Sequence, residues 1–343
     1  MSKHKKKNKN ESKSKKLKFY FGIPHSHTSY SSGKGTPYEA YKYARKKGLD
    51  YLVITDHCKP LRGKIKESEC KKFNYDKNDT KWVATQNEAD EKNKKDFLAL
   101  SGYEISTDYF GHMNVYNCEE VVHGKYKSKN CILKWCEEHP ESILCINHPS
   151  NKVTKLPYSD ELNKYINFVE VGNGIEPYKY IRREKIYYDL LDKGWEIGAL
   201  NGQDNHKANW GDTENLTVVL MDKINKNNFM KALKNRNTYS TESKNLRLYF
   251  TINNNIMGSI INIKEDEKLE FYISIEDKKC DIIKIEIISN NSIIIKTITV
   301  NGKGFQEKFF INQECSKNWY VLRVTQNSDK IAISSPIFVY RVN

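Results

Sequence analysis

Three short stretches, His25-Ser26-His27, Thr55-Asp56-His57 and Asp204-Asn205-His206, concentrate imidazole and carboxylate groups at spacings suited to metal ligation. Glu104, His112 and His148 extend the set to six of the nine histidines plus three carboxylates. Imidazole nitrogens and carboxylate oxygens are the donors with which proteins hold hydrolytic zinc, manganese or iron. Alone, a His-x-His pair is weak evidence and an Asp-His pair weaker. Their joint placement, nearly all at the ends of candidate strands, is hard to attribute to separate polar loop residues. His4 lies in a basic tail, His123 in a lysine-rich segment and His139 before Pro140, and none of them joins the pattern.

Groups so far apart in sequence can meet only if the elements carrying them converge. Residues 20–24 read as a strand. Thr36-Pro37-Tyr38-Glu39 is a helix start, with Thr as N-cap, Pro at the first helical position and Glu closing a capping box. Gly48 ends that helix, and 51–55 reads as a buried parallel strand, giving a β-α-β unit. Further strand candidates lie at 97–101, 114–116, 143–147, 168–171, 196–200 and 216–221, with helical stretches near 81–95, 129–138, 178–193 and 226–235. About seven strands with intervening helices suggest a β/α barrel in preference to an open sheet. In such a barrel the C-terminal strand ends share one rim, where His25, His27, Asp56, His57, Glu104, His148, Asp204 and His206 would gather. His112 opens its run instead of closing one, and Gly111 before it permits a sharp turn. The lysine-rich stretch 60–80 reads as a long loop able to overhang the site.

Composition narrows the remaining classes. The net charge of +14 is concentrated at the start: residues 1–18 hold nine Lys and one Glu, leaving +6 on residues 19–343. That tail reads as a solvated, disordered extension, and nucleic-acid contact through it is permitted but not favoured. No apolar run is long enough to span a bilayer, and the N-terminal lysines precede no apolar segment of a secretory signal. Eight cysteines without a C-x-x-C pair read as reduced thiols in a cytoplasmic protein. Beyond residue 243 the pattern changes to short β-rich runs at 246–252, 269–275, 282–288 and 320–324, separated by Asn, Gly and Asp turns. The expected organisation is therefore a basic tail (1–18), an α/β barrel (19–243) and a small all-β sandwich (244–343).

With these motifs placed, the sequence resembles the PHP (polymerase and histidinol phosphatase) metal-dependent hydrolases. The matching text is His25-Ser-His27-Thr28, Ile54-Thr-Asp-His57, Gly102-Tyr-Glu104-Ile-Ser, Gly111-His112, Asn147-His148-Pro149 and Gln203-Asp204-Asn-His206, in the family's order over about residues 20–240. Met257-Gly258, Trp319-Tyr-Val-Leu-Arg323 and Ser334-Ser-Pro-Ile337 are similar to members with an appended β-sandwich. The resemblance implies a distorted seven-stranded β/α barrel holding two or three divalent ions, commonly zinc, manganese or iron. It places His25, His27, Glu104 and Asp204 around a first metal, with Glu104 bridging to a second held by His112 and His148. His57 and His206 would serve a third, and Asp56 would orient a ligand histidine. Many relatives carry Asp where Ser32 stands here, and some a His where Gly33 stands, so two metals are expected and the third is the open question.

Paired divalent metals lower the pKa of bound water and clamp phosphoryl oxygens. The expected activity is hydrolysis of a small phosphorylated metabolite or nucleotide, with His57 or His206 assisting the leaving oxygen. Arg182, Arg183, Lys207 and Asn209 are candidate phosphate contacts. Two alternatives share the site: hydrolysis of a carbamate, ester or amide, and exonuclease or nucleic-acid-binding action. The last has little support, because no RNA-recognition, helix-turn-helix or zinc-finger pattern occurs. Glu170 closes a strand candidate, where it is a candidate to orient a ligand or meet the substrate, but its position supports no firm role.

Overall fold

The computed structural model describes residues 17–73, 75–122, 126–175, 179–264, 267–312 and 316–342. His4, His123 and nearly all of the basic tail lie outside the described residues. Strand β1 (Lys18–Ile23) and β2 (Tyr51–Ile54) pair in parallel across helix α1 (Pro37–Lys46). The start of α1 is the one its sequence dictates. The Thr36 hydroxyl accepts from the Glu39 amide, the Glu39 carboxylate accepts from the Thr36 amide, and Pro37 needs no partner for an N–H it lacks. Its buried face of Ala40, Tyr41 and Ala44 packs in one core with Leu52 and Ile54 of β2.

Between β2 and β3 (Leu98–Thr107) run α2 (Cys58–Leu61), α3 (Glu67–Phe73) and α4 (Lys81–Lys92). The expected long loop at 60–80 is thus corrected: it contains the end of α2 and all of α3. Leu61 and Ile65, four residues apart, are both buried and pin the segment to the core. Strand β3 folds back through Gly111, at φ 83°, into the antiparallel β4 (Gly111–Tyr116). After α5 (Lys129–Glu138), β5 (Ile143–Ile146) pairs antiparallel with β4, and β6 (Ile166–Ile175), preceded by α6 (Asp160–Asn163), pairs in parallel with β5.

Strand β7 (Lys179–Arg182) returns antiparallel along the end of β6, and α7 (Glu184–Asp192) follows. The expected helix over 178–193 is therefore also corrected, residue 178 lying outside the described residues. The reason is the tight hairpin approach. A Cβ on Gly174, which has φ 98°, would lie 1.8 Å from the Lys179 carbonyl oxygen. Only glycine lets the two backbones approach closely enough to pair.

Strand β8 (Gly198–Gly202) pairs in parallel with β6, β9 (Leu216–Met221) pairs antiparallel with β1, and α8 (Lys226–Lys234) leads to β10 (Thr238–Thr241). The wall thus runs β9-β1-β2-β3-β4-β5-β6-β8. At the remaining seam hydroxyls take the place of a ladder. Thr238 Oγ1 donates to the Ala199 carbonyl (3.0 Å), and the Asn201 and Ala199 amides donate to Thr217 Oγ1 (2.7 Å) and Ser335 Oγ (3.1 Å). The result is a distorted α/β barrel.

The C-terminal domain is a sandwich. One sheet is β12-β11-β14-β17, from β11 (Arg247–Ile252), β12 (Asn255–Ile256), β14 (Leu269–Glu276) and β17 (Gly304–Ile311). The other contains β13 (Ile260–Ile263), β15 (Ile282–Ser289), β16 (Ile293–Gly302), β18 (Lys317–Gln326), β19 (Ile331–Ser334) and β20 (Ile337–Arg341). Strand β10 pairs with β9 on one edge and β19 on the other, so the second sheet continues out of the barrel. Val218, Leu220 and Tyr239 belong to the same buried cluster as Leu248, Phe250 and Leu322. Among the described residues, no helix is long and apolar enough to cross a membrane.

Candidate metal centre

Backbone hydrogen bonds stitch the strand ends together before any side chain is considered. The His27 amide donates to the Asn205 carbonyl (2.9 Å), the Asp204 amide to His25 (3.1 Å), the Glu104 amide to Asp56 (3.1 Å) and the Asn147 amide to His112 (3.0 Å). Each pair joins two motifs distant in sequence, so the fold fixes their register to backbone precision.

Glu104, 1% exposed, is the centre of the constellation. Its Oε1 faces His25 Nε2 (3.5 Å), His112 Nδ1 (3.3 Å) and His148 Nε2 (3.4 Å). Its Oε2 faces His57 Nδ1 (2.8 Å) and His27 Nε2 (3.6 Å). His25 and His27 bring their Nε2 atoms within 3.2 Å of each other, and Asp204 Oδ1 lies 3.5 and 3.1 Å from them. Among the described residues three donor groups result: His25, His27 and Asp204; Glu104, His112 and His148; and His27, His57 and His206, the first and last sharing His27.

The donor chemistry fits a metal. A tetrahedral ion with ligand bonds of about 2.0–2.1 Å has ligand-to-ligand edges of about 3.3–3.4 Å. The distances among His25, His27, Asp204 and Glu104 scatter around that edge, and their lone pairs point inward. The proton positions follow from the outer partners. His25 Nδ1 sits 2.6 Å from Glu170 Oε1 and must donate to it, so the neutral ring keeps its lone pair on Nε2. His27 Nδ1 is 3.3 Å from Ser31 Oγ, whose hydrogen goes to Asp56, so His27 also turns a lone pair inward. Asp56 further accepts the Thr28 amide (2.8 Å) and the Thr28 hydroxyl. Its carboxylate reaches His27 through Ser31, with His27 Nδ1 4.0 Å away.

The electrostatics are those of a caged set of opposite charges. Burial opposes a charge on His25, yet Glu170, Asp204 and Glu104 together raise its pKa to about 10, so a metal must displace a proton from Nε2 to use that nitrogen. Burial lowers that of His27. Burial works against ionised Glu104, but hydrogen bonds from His112, His148 and His57 hold it well below the usual carboxylate range. Asp204 is depressed in the same way by His25 and His27, and the Glu104 hydrogen bond raises His57. His148 (φ 28°) and Asp204 (φ 49°) adopt left-handed backbone, a conformation β-carbon residues keep only where surrounding structure over-determines it.

Ser32, the residue that departs from the resembled pattern, lies at the third group. His206 Nδ1 is 2.7 Å from the Asp204 carbonyl and Nε2 is 2.9 Å from Ser32 Oγ. A carbonyl can only accept, so neutral His206 carries its proton on Nδ1 and its Nε2 lone pair accepts from the serine. Gly33 could not be exchanged freely, because a Cβ there would lie 2.8 Å from the His27 carbonyl.

A cavity of about 390 Å³ opens beside the cluster, lined by His148, Asp204, His206, Lys179, Arg183 and Lys207 among others. Of the four sequence candidates for phosphate contact, the structure places Arg183 and Lys207 here. Arg182 points to the opposite face of β7, donating to both Glu242 oxygens (2.7 and 2.6 Å) and to the Asp329 carbonyl (2.5 Å). Lys179 and Ile181 of β7 line the cavity by period-two alternation, and Arg183, the first residue past the strand, falls on the same side. Asn209 does not line the cavity; its carbonyl accepts from the Asp212 amide. His139 stacks on Trp135 at the end of α5, and Cys58 packs in the core. Sequence reasoning gave no firm role to Glu170, and none to Ser31 or to Asn147, whose side-chain amide donates to Glu104 Oε1 (2.8 Å). Only the strand-end position of Glu170 was a usable signal.

No family model and no curated protein matches the sequence. Among solved structures, the chain is similar to a two-domain protein from Bacteroides vulgatus containing a predicted PHP-like metal-dependent phosphoesterase. The identity is 15%, the match covers 90% of this chain and 91% of that one, and the TM-score is 0.53. An amidohydrolase from Chromobacterium violaceum matches at 13% identity over 54% of this chain and 87% of that one, with a TM-score of 0.35. The first match spans both domains, and the chain thus has the two-domain, PHP-like fold: a distorted α/β barrel followed by a β-sandwich.

Proposed function

We propose that this chain is a metal-dependent phosphoesterase acting on a small phosphorylated metabolite or nucleotide. The observation that carries the reading is Glu104, a buried carboxylate with both oxygens faced by imidazole nitrogens from separate strand ends. His25, His27, Glu104 and Asp204 would hold one divalent ion, and Glu104, His112 and His148 a second. Ions bound there supply Lewis acidity toward a phosphoryl oxygen and lower the pKa of water. The remaining work falls to the protein. Arg183 and Lys207 line the cavity with positive charge and favour an anionic ester. His206, at the rim, presents Nε2 as a proton carrier or third-group donor, its tautomer set by the Asp204 carbonyl. Asp56 keeps His27 oriented through Ser31.

The test is metal analysis of the purified protein followed by a panel of phosphomonoesters, phosphodiesters, carbamates and single-stranded oligonucleotides, with His25→Ala as control. We expect restorable transition metal and metal-dependent cleavage of phosphomonoesters that His25→Ala abolishes. Fewer than about one metal per chain would refute the metal site. Turnover of carbamates alone would replace the phosphoesterase reading with the carbamate one.

A further inference from the structure

We propose that Glu170 is a positioning residue that preorganises two of the metal-ligand groups at once, and that Gly202 is side-chain-free in order to admit it. This rests on the metal-dependent reading above. Glu170 lies on β6, is 1% exposed and meets no Lys or Arg ion-pair partner among the described residues. A carboxylate so buried is costly unless donors surround it. Its donors come from three places. Oε1 takes the His25 Nδ1 hydrogen at 2.6 Å, while Oε2 takes the His148 amide at 2.5 Å and the Asn173 side-chain amide at 2.7 Å. One side chain thereby fixes the tautomer of His25 in the first group and the left-handed backbone of His148 in the second.

Gly202 on β8 supplies independent support. A Cβ at this position would sit 1.8 Å from Glu170 Oε1 and 2.5 Å from its carboxyl carbon. Gly202 belongs to none of the three groups, yet any larger residue must displace the carboxylate to which His25 donates.

The chemistry makes Glu170→Gln a sharp probe. Oε2 receives two donors, so the amide oxygen must occupy that side and the amide NH2 must face His25. His25 Nδ1 then has to accept, its proton moves to Nε2, and the lone pair that faced His27 and Asp204 is gone. Outer carboxylates of this kind are worth about 10–100-fold in metal affinity.

The experiment titrates metal-free wild type, Glu170→Gln and Gly202→Ala with Zn²⁺ against a competing chelator, and follows the His25 Nδ1 proton by NMR before metal is added. We expect both variants to keep the wild-type circular dichroism, to lose the downfield imidazole N–H signal, and to bind zinc at least tenfold more weakly. Should Glu170→Gln fail to fold, Gly202→Ala decides by the same titration. Variants that bind zinc within threefold of wild type overturn this proposal and leave the phosphoesterase reading standing. A wild type that binds no metal overturns both.

Discussion

Removal of the C-terminal domain tests how the two halves are joined. In a fragment ending at residue 243, β10 would lose β19 along one edge, and the seam bond from the Ala199 amide to Ser335 Oγ would vanish. Val218, Leu220 and Tyr239, all at most 1% exposed and clustered with the sandwich core, would face solvent. At about 1.5–3 kcal/mol per large apolar side chain, these three alone cost roughly 5–9 kcal/mol. A typical domain has about 5–15 kcal/mol in total, so the fragment should lack a cooperative fold. We expect thermal denaturation followed by circular dichroism to show no sharp transition for residues 1–243, with dye binding that reports exposed apolar surface. A monomeric fragment melting cooperatively within about 5 °C of the full chain would refute the shared-core argument.

Two further predictions separate roles that the sequence alone left together. Arg182→Leu removes both guanidinium hydrogen bonds of Glu242 and should lower stability by about 1.5–3 kcal/mol without changing KM for a chromogenic phosphomonoester, whereas Arg183→Leu should raise KM; equal KM effects would contradict the placement. Asp50, whose pKa burial raises to about 6, has a folded value above its unfolded one, so its contribution is complete below about pH 4 and lost as pH rises through 6. Asp50→Asn can still accept the Phe21 amide and should stabilise the protein by about 1–3 kcal/mol at pH 7.5 but not at pH 4, a difference that urea titrations at the two pH values measure.

Much of the site was legible because metal ligation needs particular donors and because strands end where motifs begin. The alternation around β1, β2, β5 and β9 is strong enough to read locally, and the capping box at Thr36 is self-contained. Segments governed by distant partners were not legible. Residues 179–182 are a strand because Gly174 lets β6 approach, not because of their own propensity. The stretch from 60 to 73 is held against the body of the protein because Leu61 and Ile65 find a core to enter.

The residue types alone determined that His25, His27, Glu104, Asp204 and their companions could bind metal, since donor chemistry belongs to the side chain. Tertiary structure decided which atoms face one another. The tautomer of His25 depends on Glu170, 145 residues away, and the space for Glu170 depends on Gly202. It also decided that Arg183, just past the end of β7, lines the cavity with Lys179 and Ile181 while its neighbour Arg182 clasps the sandwich, because residues of a strand alternate between faces and only packing says which face meets the site.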